Sequence, residues 1–366
     1  MLKIFDKYLF SELIKPFIAG VSLSVVLLVA NSFFLYLKMV NDTNLPIYDA
    51  LKLFVFQIPS WIVLAFPMGY LFSSLLVVGR LSKDYELTAF QSCGISLLRA
   101  SFPILLLSFL VSLGAFFINE TIAPSANYQS KMIYIDIATN PKILPLKEKT
   151  FFDIKKDKKF MYVGDLNKDT GLFKNIFIFD AKDDMFPKII TAKKGIRNGE
   201  KIILNDGVLK KYNKEAFLNY EVKFREMEIA MTITPDSYDP KKGVTDLPFF
   251  QSKALVEEFQ KEVEKDKTKL QELNEKKVYH NNKLSLPLAT FFSTLLSIPL
   301  GMLFVKRSLF IGLALSIAII FIWNVSFQIS SSLGKVGTLD PFLASWVQNL
   351  AFLALGLPMF FYLSKK

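Results

Sequence analysis

The chain has 366 residues, of which 52% are apolar and 36 are Phe, and a formal net charge of +11. Charge is concentrated: 31 of the 44 basic and 25 of the 33 acidic residues lie between Thr121 and Lys283, so the ends are nearly charge-free and the middle nets only +6 (31 minus 25). That balance, with no basic face interleaved with aromatics, argues against nucleic acid, and one Cys (Cys93) with one His argues against an internal disulfide or a zinc site.

Residues Met1 to Lys15 mix charged and apolar positions and lack a small-residue cleavage site, the pattern of a retained helix rather than a signal peptide. A helix rises 1.5 Å per residue, so about 20 uncharged residues cross a hydrocarbon core of ~30 Å. Six runs meet that length: Pro16–Leu37, Leu53–Gly79, Ala100–Asn119, Leu284–Val305, Ser308–Gly334 and Val336–Leu363, the last with Asp340 near its start. The short loops then set orientation. One side carries Lys3, Lys7, Lys15, Arg80, Lys83, Arg99, Lys306, Arg307, Lys365 and Lys366, and the other Lys38, Lys52 and Lys335. This bias predicts a multi-pass membrane protein with both termini in the cytoplasm and the large polar segment exported. The spans hold neutral polar residues (Asn31, Gln57, Asn324, Gln328, Gln348, Asn349) rather than the mid-membrane acids or His of an ion-coupled carrier.

Between the second and third runs, Leu81–Phe90 can form a short amphipathic helix ending near Gly94, with Leu87 and Phe90 on one face. The residues alone leave open whether it docks on a partner or lies at the lipid surface. From about Thr150 to Thr234 short β-rich runs alternate with turn signals: Thr150–Ile154, Phe160–Val163, Asn175–Phe179, Lys188–Ala192, Lys201–Leu204, Val208–Tyr212 and Tyr220–Ile229. That spacing predicts an all-β domain, with Asp206-Gly207 as its best hairpin signal and Lys156-Asp157 and Asn198-Gly199 as further turns. Leu255, Phe259, Val263, Leu270 and Leu273 then predict an amphipathic helix leading back to the membrane. The expected organisation is 1–120 for three spans, with a cytoplasmic helix at about 80–93, 121–250 for the β-domain, 251–283 for the amphipathic helix and 284–366 for three more spans. No Gly-x-x-x-x-Gly-Lys-Ser/Thr loop, catalytic cluster or metal-binding cluster stands out, and His280 reads as a solvated residue at the membrane entrance.

Several short motifs resemble one family. Phe66-Pro67-Met68-Gly69, the stretch Gly79–Leu87 and Cys93-Gly94-Ile95-Ser96 are similar to the LptF/LptG (YjgP/YjgQ) permeases. So are Lys283–Ala289, Ser297–Gly301 and Trp346-Val347-Gln348-Asn349, although Gln348 stands where the resemblance leads one to expect proline. Together they extend over essentially the whole chain.

The resemblance implies a three-plus-three helical permease with an inserted periplasmic β-jellyroll. It implies a subunit that extracts lipopolysaccharide from the inner membrane and passes it to a periplasmic bridge for outer membrane biogenesis. The implied partners are a dimeric cytoplasmic LptB-like ABC ATPase, which binds the ATP, a second LptF/LptG-type chain, and LptC- and LptA-like jellyroll proteins. No cofactor, metal or catalytic residue is expected in this chain. By the same resemblance the loop is a coupling helix, with Arg80, Lys83, Asp84, Glu86, Leu87 and Phe90 as ATPase-coupling residues and Glu86 as the charged anchor. Lys38 and Lys52 at the outer mouth are candidates for a phosphorylated headgroup, and Phe33, Phe66 and Phe327 for an acyl-chain cavity. A snorkelling anchor for each lysine, and a lipid- or bundle-facing role for each Phe, are the structural alternatives. The competing functional readings are a mechanotransmitting ABC permease of FtsX/MacB type and a scaffold anchoring a periplasmic β-domain.

Overall fold

The computed structural model describes residues 4–43, 46–139, 150–154, 159–167, 172–180, 188–198, 201–212, 217–230, 242–305 and 308–365. In chain order come α1 (Ile4–Thr43), α2 (Ile47–Lys83), α3 (Glu86–Ser92), α4 (Leu97–Phe117) and α5 (Ala123–Thr139). A single π-helical turn, Ile118–Ile122, joins the last two. Strands β1 (Thr150–Ile154), β2 (Lys159–Asn167), β3 (Leu172–Asp180), β4 (Lys188–Asn198), β5 (Lys201–Tyr212) and β6 (Leu218–Ala230) follow. Then come α6 (Phe249–Lys265), α7 (Leu270–Phe304), α8 (Leu309–Val336) and α9 (Pro341–Ser364). Among the described residues, six helices are long and apolar enough to cross a membrane, and they fall on the six expected runs. The chain divides into two compact units, residues 1–32, 56–128 and 242–366, and residues 33–55 and 129–241.

In the helical unit α2 and α7 are central: 72% and 61% of their most apolar windows are buried, against 11% for α1 and 17% for α8. Small and hydroxylated residues make this possible, because lipid tails give no hydrophobic drive and helices associate through close packing and shared hydrogen bonds. A Cβ on Gly69 of α2 would lie 2.7 Å from the backbone N of Val21, so α1 and α2 cross backbone against backbone. Ser73 donates to the Leu13 carbonyl at 2.7 Å, Ser74 bonds Ser297 across α2 and α7, and the buried Tyr70 hydroxyl donates to the Ile104 carbonyl at 2.6 Å. Gln348, in the expected proline's place, donates to Ser330 at 2.6 Å, and Asn349 donates to the Ser285 carbonyl at 2.8 Å.

The expected amphipathic helix over 251–283 is instead two helices. Asp266 adopts an extended backbone (φ −137°) and its carboxylate accepts from the Thr268 N–H and hydroxyl, which stops α6. The apolar stripe is shared: Val256 and Val263 of α6 pack with Leu273 of α7, with Leu255, Phe259 and Tyr279 around them. Contacts from Ser252 to His280 and from Phe259 to Lys276 make the pair antiparallel. His280 is therefore not simply solvated; it stacks on Phe249 at 4.5 Å and bonds Ser252 through Nδ1 at 2.8 Å. The structure also assigns Ala123–Thr139, expected in the β-domain, to helix.

In the other unit the six strands form one antiparallel sheet in sequence order. Inward side chains alternate with period two until one transverse row, where the spacing jumps to three in β3, β4 and β5: Phe173 to Ile176, Ala192 to Gly195, Leu204 to Gly207. Asn175 and Asp206 occupy that row with left-handed backbone (φ 53° and 55°). Because neighbouring strands each carry the extra residue, the register is the same on both sides: Asp165↔Lys174 and Val163↔Ile176, Asn205↔Glu226 and Gly207↔Phe224. The row is a crease, and it lets both halves of the sheet supply one core, with Phe173, Ile202 and Leu204 from one side and Met161, Val163, Ile176, Ile178, Ile190 and Ala192 from the other. Asp206-Gly207 is thus not a hairpin. It lies inside β5, merging two of the expected strands, and a Cβ on Gly207 would meet the Phe224 ring at 2.2 Å and the Thr191 carbonyl at 2.5 Å. The expected turns at Lys156-Asp157 and at Gly199 lie outside the described residues. In the same unit Tyr36, Ala50 and Leu53 pack with Phe54, Ile133 and Tyr134.

Candidate functional site

The loop between α2 and α4 is built from three turns. α2 ends at Lys83, Tyr85 turns the chain through a left-handed residue (φ 58°), α3 runs for seven residues, and Gly94 (φ 81°) leads to Ser96, whose hydroxyl accepts from the Arg99 N–H. Leu87 and Phe90 share a face as expected, and that face is turned into the protein: Leu87 joins the core of Leu9, Leu13, Leu81 and Ala100, and Phe90 meets Phe5 edge-on at 4.5 Å. What the loop presents outward is Lys83, Asp84, Tyr85, Thr88, Ala89, Gln91 and Ser92.

The first turns of α1 clamp both ends of this loop. Arg80, in the last turn of α2, donates through Nη1 to Glu12 at 2.6 Å and through Nη2 to the Tyr8 hydroxyl at 3.0 Å. That hydroxyl donates onward to Glu86 Oε2 at 2.9 Å. At the far end Arg99, in the first turn of α4, makes a two-pronged bond to Asp6, 2.8 Å on each side, and the Asp6 side chain is buried. Fork-to-fork pairing fixes orientation as well as distance, so the first three turns of α1 are tied both to the loop and to the start of α4. Arg80 and Glu86 accordingly belong to a hydrogen-bonded chain, while Lys83 and Asp84 remain exposed.

Sequence reasoning missed Asp6, Tyr8 and Glu12. A signal existed: Asp6 and Glu12 are acids on the side where the loop count calls for Lys and Arg, and each has an arginine to meet there.

The substrate-binding candidates are divided between the two units. Phe33 and Lys52 belong to the unit of residues 33–55 and 129–241, and Phe66 and Phe327 to the helical unit. Lys52 sits 3.8 Å from Asp49 and 4.3 Å over the Tyr48 ring, a local anchor. The side chain of Lys38 lies outside the described residues. Phe33 is exposed and meets Phe34 and Phe54, Phe66 packs edge-on against Phe17, and Phe327 stacks on Trp323 at 5.7 Å. Large apolar side chains are exposed along α1 and α8, and also along α4 and α9. Ile18, Leu23, Val26 and Leu27 of α1 are exposed, as are Phe310, Ile317, Phe321, Ile322 and Ile329 of α8. Among the described residues no group of three or more His, Cys, Asp or Glu could hold a metal ion.

A profile of the family described as "Lipopolysaccharide export system permease LptF/LptG" matches residues 7–365. The chain is 20% identical over 372 aligned residues to lipopolysaccharide export system permease protein LptF of Escherichia coli strain K12, covering 96% of this chain and 93% of that protein. LptF of Shigella flexneri matches with the same identity and coverage. An uncharacterized protein of Rickettsia prowazekii is 25% identical over 214 residues; the match takes in 57% of this chain and 59% of that protein's length.

Proposed function

The chain belongs to the LptF/LptG family of lipopolysaccharide export permeases, which makes it a multi-pass inner-membrane transporter component rather than an enzyme, and from that premise we propose that it extracts lipopolysaccharide from the inner membrane and delivers it to a periplasmic bridge. The match from residue 7 to 365 carries this reading, since it takes in the six spans, the clamped loop and the inserted sheet together.

Each step has a physical counterpart in the chain. The outward face Lys83, Asp84, Tyr85 and Gln91 is the surface offered to a dimeric LptB-like cytoplasmic ATPase, and the bonds to Asp6, Tyr8 and Glu12 transmit its movement to α1, α2 and α4. The exposed apolar faces of α1 and α8 are where a second permease chain and the acyl tails meet this one. Among the described residues the outermost strands, β1 and β6, each pair on one side only. Their unpaired backbone edges suit strand addition by LptC- and LptA-like jellyrolls, a recognised mode of extending a sheet between proteins.

The test is purification of the tagged chain in mild detergent, with mass spectrometry of what accompanies it. An ABC-type ATPase, a second six-span relative and a phosphorylated glycolipid are expected. Purification of well-folded chain repeatedly without any ATPase would overturn the coupling assignment. Glu86→Lys, which sets a cation beside the Tyr8 hydroxyl and Arg80, is expected to leave the fold intact and to separate ATP hydrolysis from lipid movement.

A further inference from the structure

The outer face of α6 is polar: Gln251, Lys253, Glu257, Glu258, Gln260 and Lys261 are all exposed. Phe250, in the first turn, is the large apolar exception and is 78% exposed. Its neighbour Phe249 is used for packing, stacked on His280 at 4.5 Å, and meets Phe250 edge-on at 5.5 Å. A Phe left in water on such a face is unfavourable in proportion to the apolar area it shows.

Two sets of contacts fix the height of Phe250 relative to the bilayer. The first is the antiparallel α6–α7 pair, in which Ser252 bonds His280. Stepping back along α6 and forward along α7 both lead towards Leu284, where the uncharged run begins. At 1.5 Å per residue Leu284 lies ~6 Å beyond His280 and Phe250 ~3 Å beyond Ser252, so Phe250 stands within one turn of that boundary. The second set comes from the end of α4. Both Glu120 oxygens accept from the Phe249 N–H at 2.8 Å, a cap that Pro248 cannot supply to α6 from its own side chain. Glu120 directly follows Asn119, the last residue of the third uncharged run, and Asn119 donates to the Lys283 carbonyl at 3.0 Å. The end of one span, the start of another and the tip of α6 are thereby held at one level.

Orientation agrees with height. Side chains on a helix tilt towards its N-terminus, which in α6 is the membrane end, so Phe250 leans towards the bilayer. Phe109, Leu113 and Phe117 form an exposed apolar row along α4, and Ile122 is exposed beyond the π-helical turn. Phe117 is one turn before Glu120, so this lipid-facing row reaches the level at which Phe250 is held. One turn further out on α6 is Lys253, also exposed, with its ammonium 3.8 Å from Glu257. An aromatic ring at the boundary with a cation one turn outside it is the order in which a bilayer interface accepts side chains.

We propose that the tip of α6 is an interfacial anchor: Phe250, with Phe117 and Ile122 at the same boundary, binds the phospholipid surface where α4 ends and α7 enters the membrane. The inference rests on the membrane spans and not on the permease reading, and it concerns bulk phospholipid rather than any transported molecule.

The experiment places a nitroxide on the full chain in nanodiscs of phosphatidylethanolamine and phosphatidylglycerol, with the exposed Cys93 removed as Cys93→Ser. Phe250→Cys is labelled and compared with Leu113→Cys, a lipid-facing reference, and Lys261→Cys, an aqueous one. Collision rates with oxygen, which concentrates in lipid, and with a water-soluble nickel chelate are read by electron paramagnetic resonance. The ratio of oxygen to nickel collisions at position 250 is expected to lie closer to that of Leu113→Cys than to that of Lys261→Cys. A ratio matching Lys261→Cys would overturn the proposal by placing Phe250 in water. A label shielded from both reagents would overturn it too, since a protein surface would then cover this position. Benzoylphenylalanine in place of Phe250 keeps the aromatic ring and gives a second reading. Illumination is expected to yield a phospholipid adduct by mass spectrometry, and adducts to protein alone would contradict the lipid assignment.

Discussion

Removing one oxygen atom tests the clamp. In Tyr8→Phe the ring stays and the hydroxyl goes, and with it the bond given to Glu86 (2.9 Å) and the bond received from Arg80 (3.0 Å). Bonds to charged partners are worth ~1.5–3 kcal/mol each when fully sheltered. Here the Arg80 and Glu12 side chains are 34% and 32% exposed, and solvent screening brings such contacts toward ~1 kcal/mol. Arg80 also keeps its bond to Glu12, so the expected loss in stability is about 1 kcal/mol, small enough to leave a folded chain. The functional loss is expected to be larger, because Glu86 is released from α1. The assay is a double-mutant cycle of Tyr8→Phe and Glu86→Gln, read as affinity for the purified ATPase and as lipid moved per ATP hydrolysed. If the hydroxyl acts through Glu86, each single change lowers coupling and the pair lowers it little further, a departure from additivity of about 0.5–1 kcal/mol or more. Full coupling in Tyr8→Phe alongside a defect in Glu86→Gln would refute the clamp, since Glu86 would then act without being held.

Gly69→Val sets a side chain against the backbone of Val21, and the resulting overpacking is expected to cost ~1–3 kcal/mol and lower the melting temperature in detergent. In the sheet, Gly207→Ala drives a methyl into the Phe224 ring and the Thr191 carbonyl; a loss of about 1–3 kcal/mol is expected for an isolated β-domain by urea unfolding. Gln348→Leu removes the bond to Ser330 between α9 and α8 and is expected to cost ~0.6 kcal/mol or somewhat more, measured by thermal unfolding in the same detergent.

The six candidate spans were legible because they depend on length and on the near-absence of charge, and both are written locally: each helix contains an apolar run long enough to cross. The β-domain was legible as a class and misread in detail for a physical reason. Strand patterns rest on strict alternation, and the crease breaks it at Asn175 and Asp206, so one strand, β5, looked like two joined by a turn. Asp-Gly signals a left-handed residue correctly; only pairing with the strands on either side shows that the chain goes straight on. The α6–α7 pair was read as one helix even though its apolar seam is interrupted at Asp266–Lys267, where the cap makes the break. At the loop, the shared face of Leu87 and Phe90 followed from spacing, but the helix expected from Leu81 starts only at Glu86, past the left-handed Tyr85, and its inward direction was not legible. The partners that set it, Phe5, Tyr8 and Glu12, lie 85, 78 and 68 residues from Phe90, Glu86 and Arg80, beyond any local pattern (90 − 5, 86 − 8, 80 − 12).

ATP-driven release of lipopolysaccharide tests the account most directly. Proteoliposomes would carry this chain with its second permease chain and the ATPase, and lipid would be trapped by a soluble periplasmic jellyroll bearing a photocrosslinker. Lipid capture that needs ATP, and that falls in Glu86→Lys while ATP hydrolysis continues, is the expected result. Equal capture without ATP, or none from an intact and hydrolysing complex, would contradict the assignment of this chain as a lipopolysaccharide extractor.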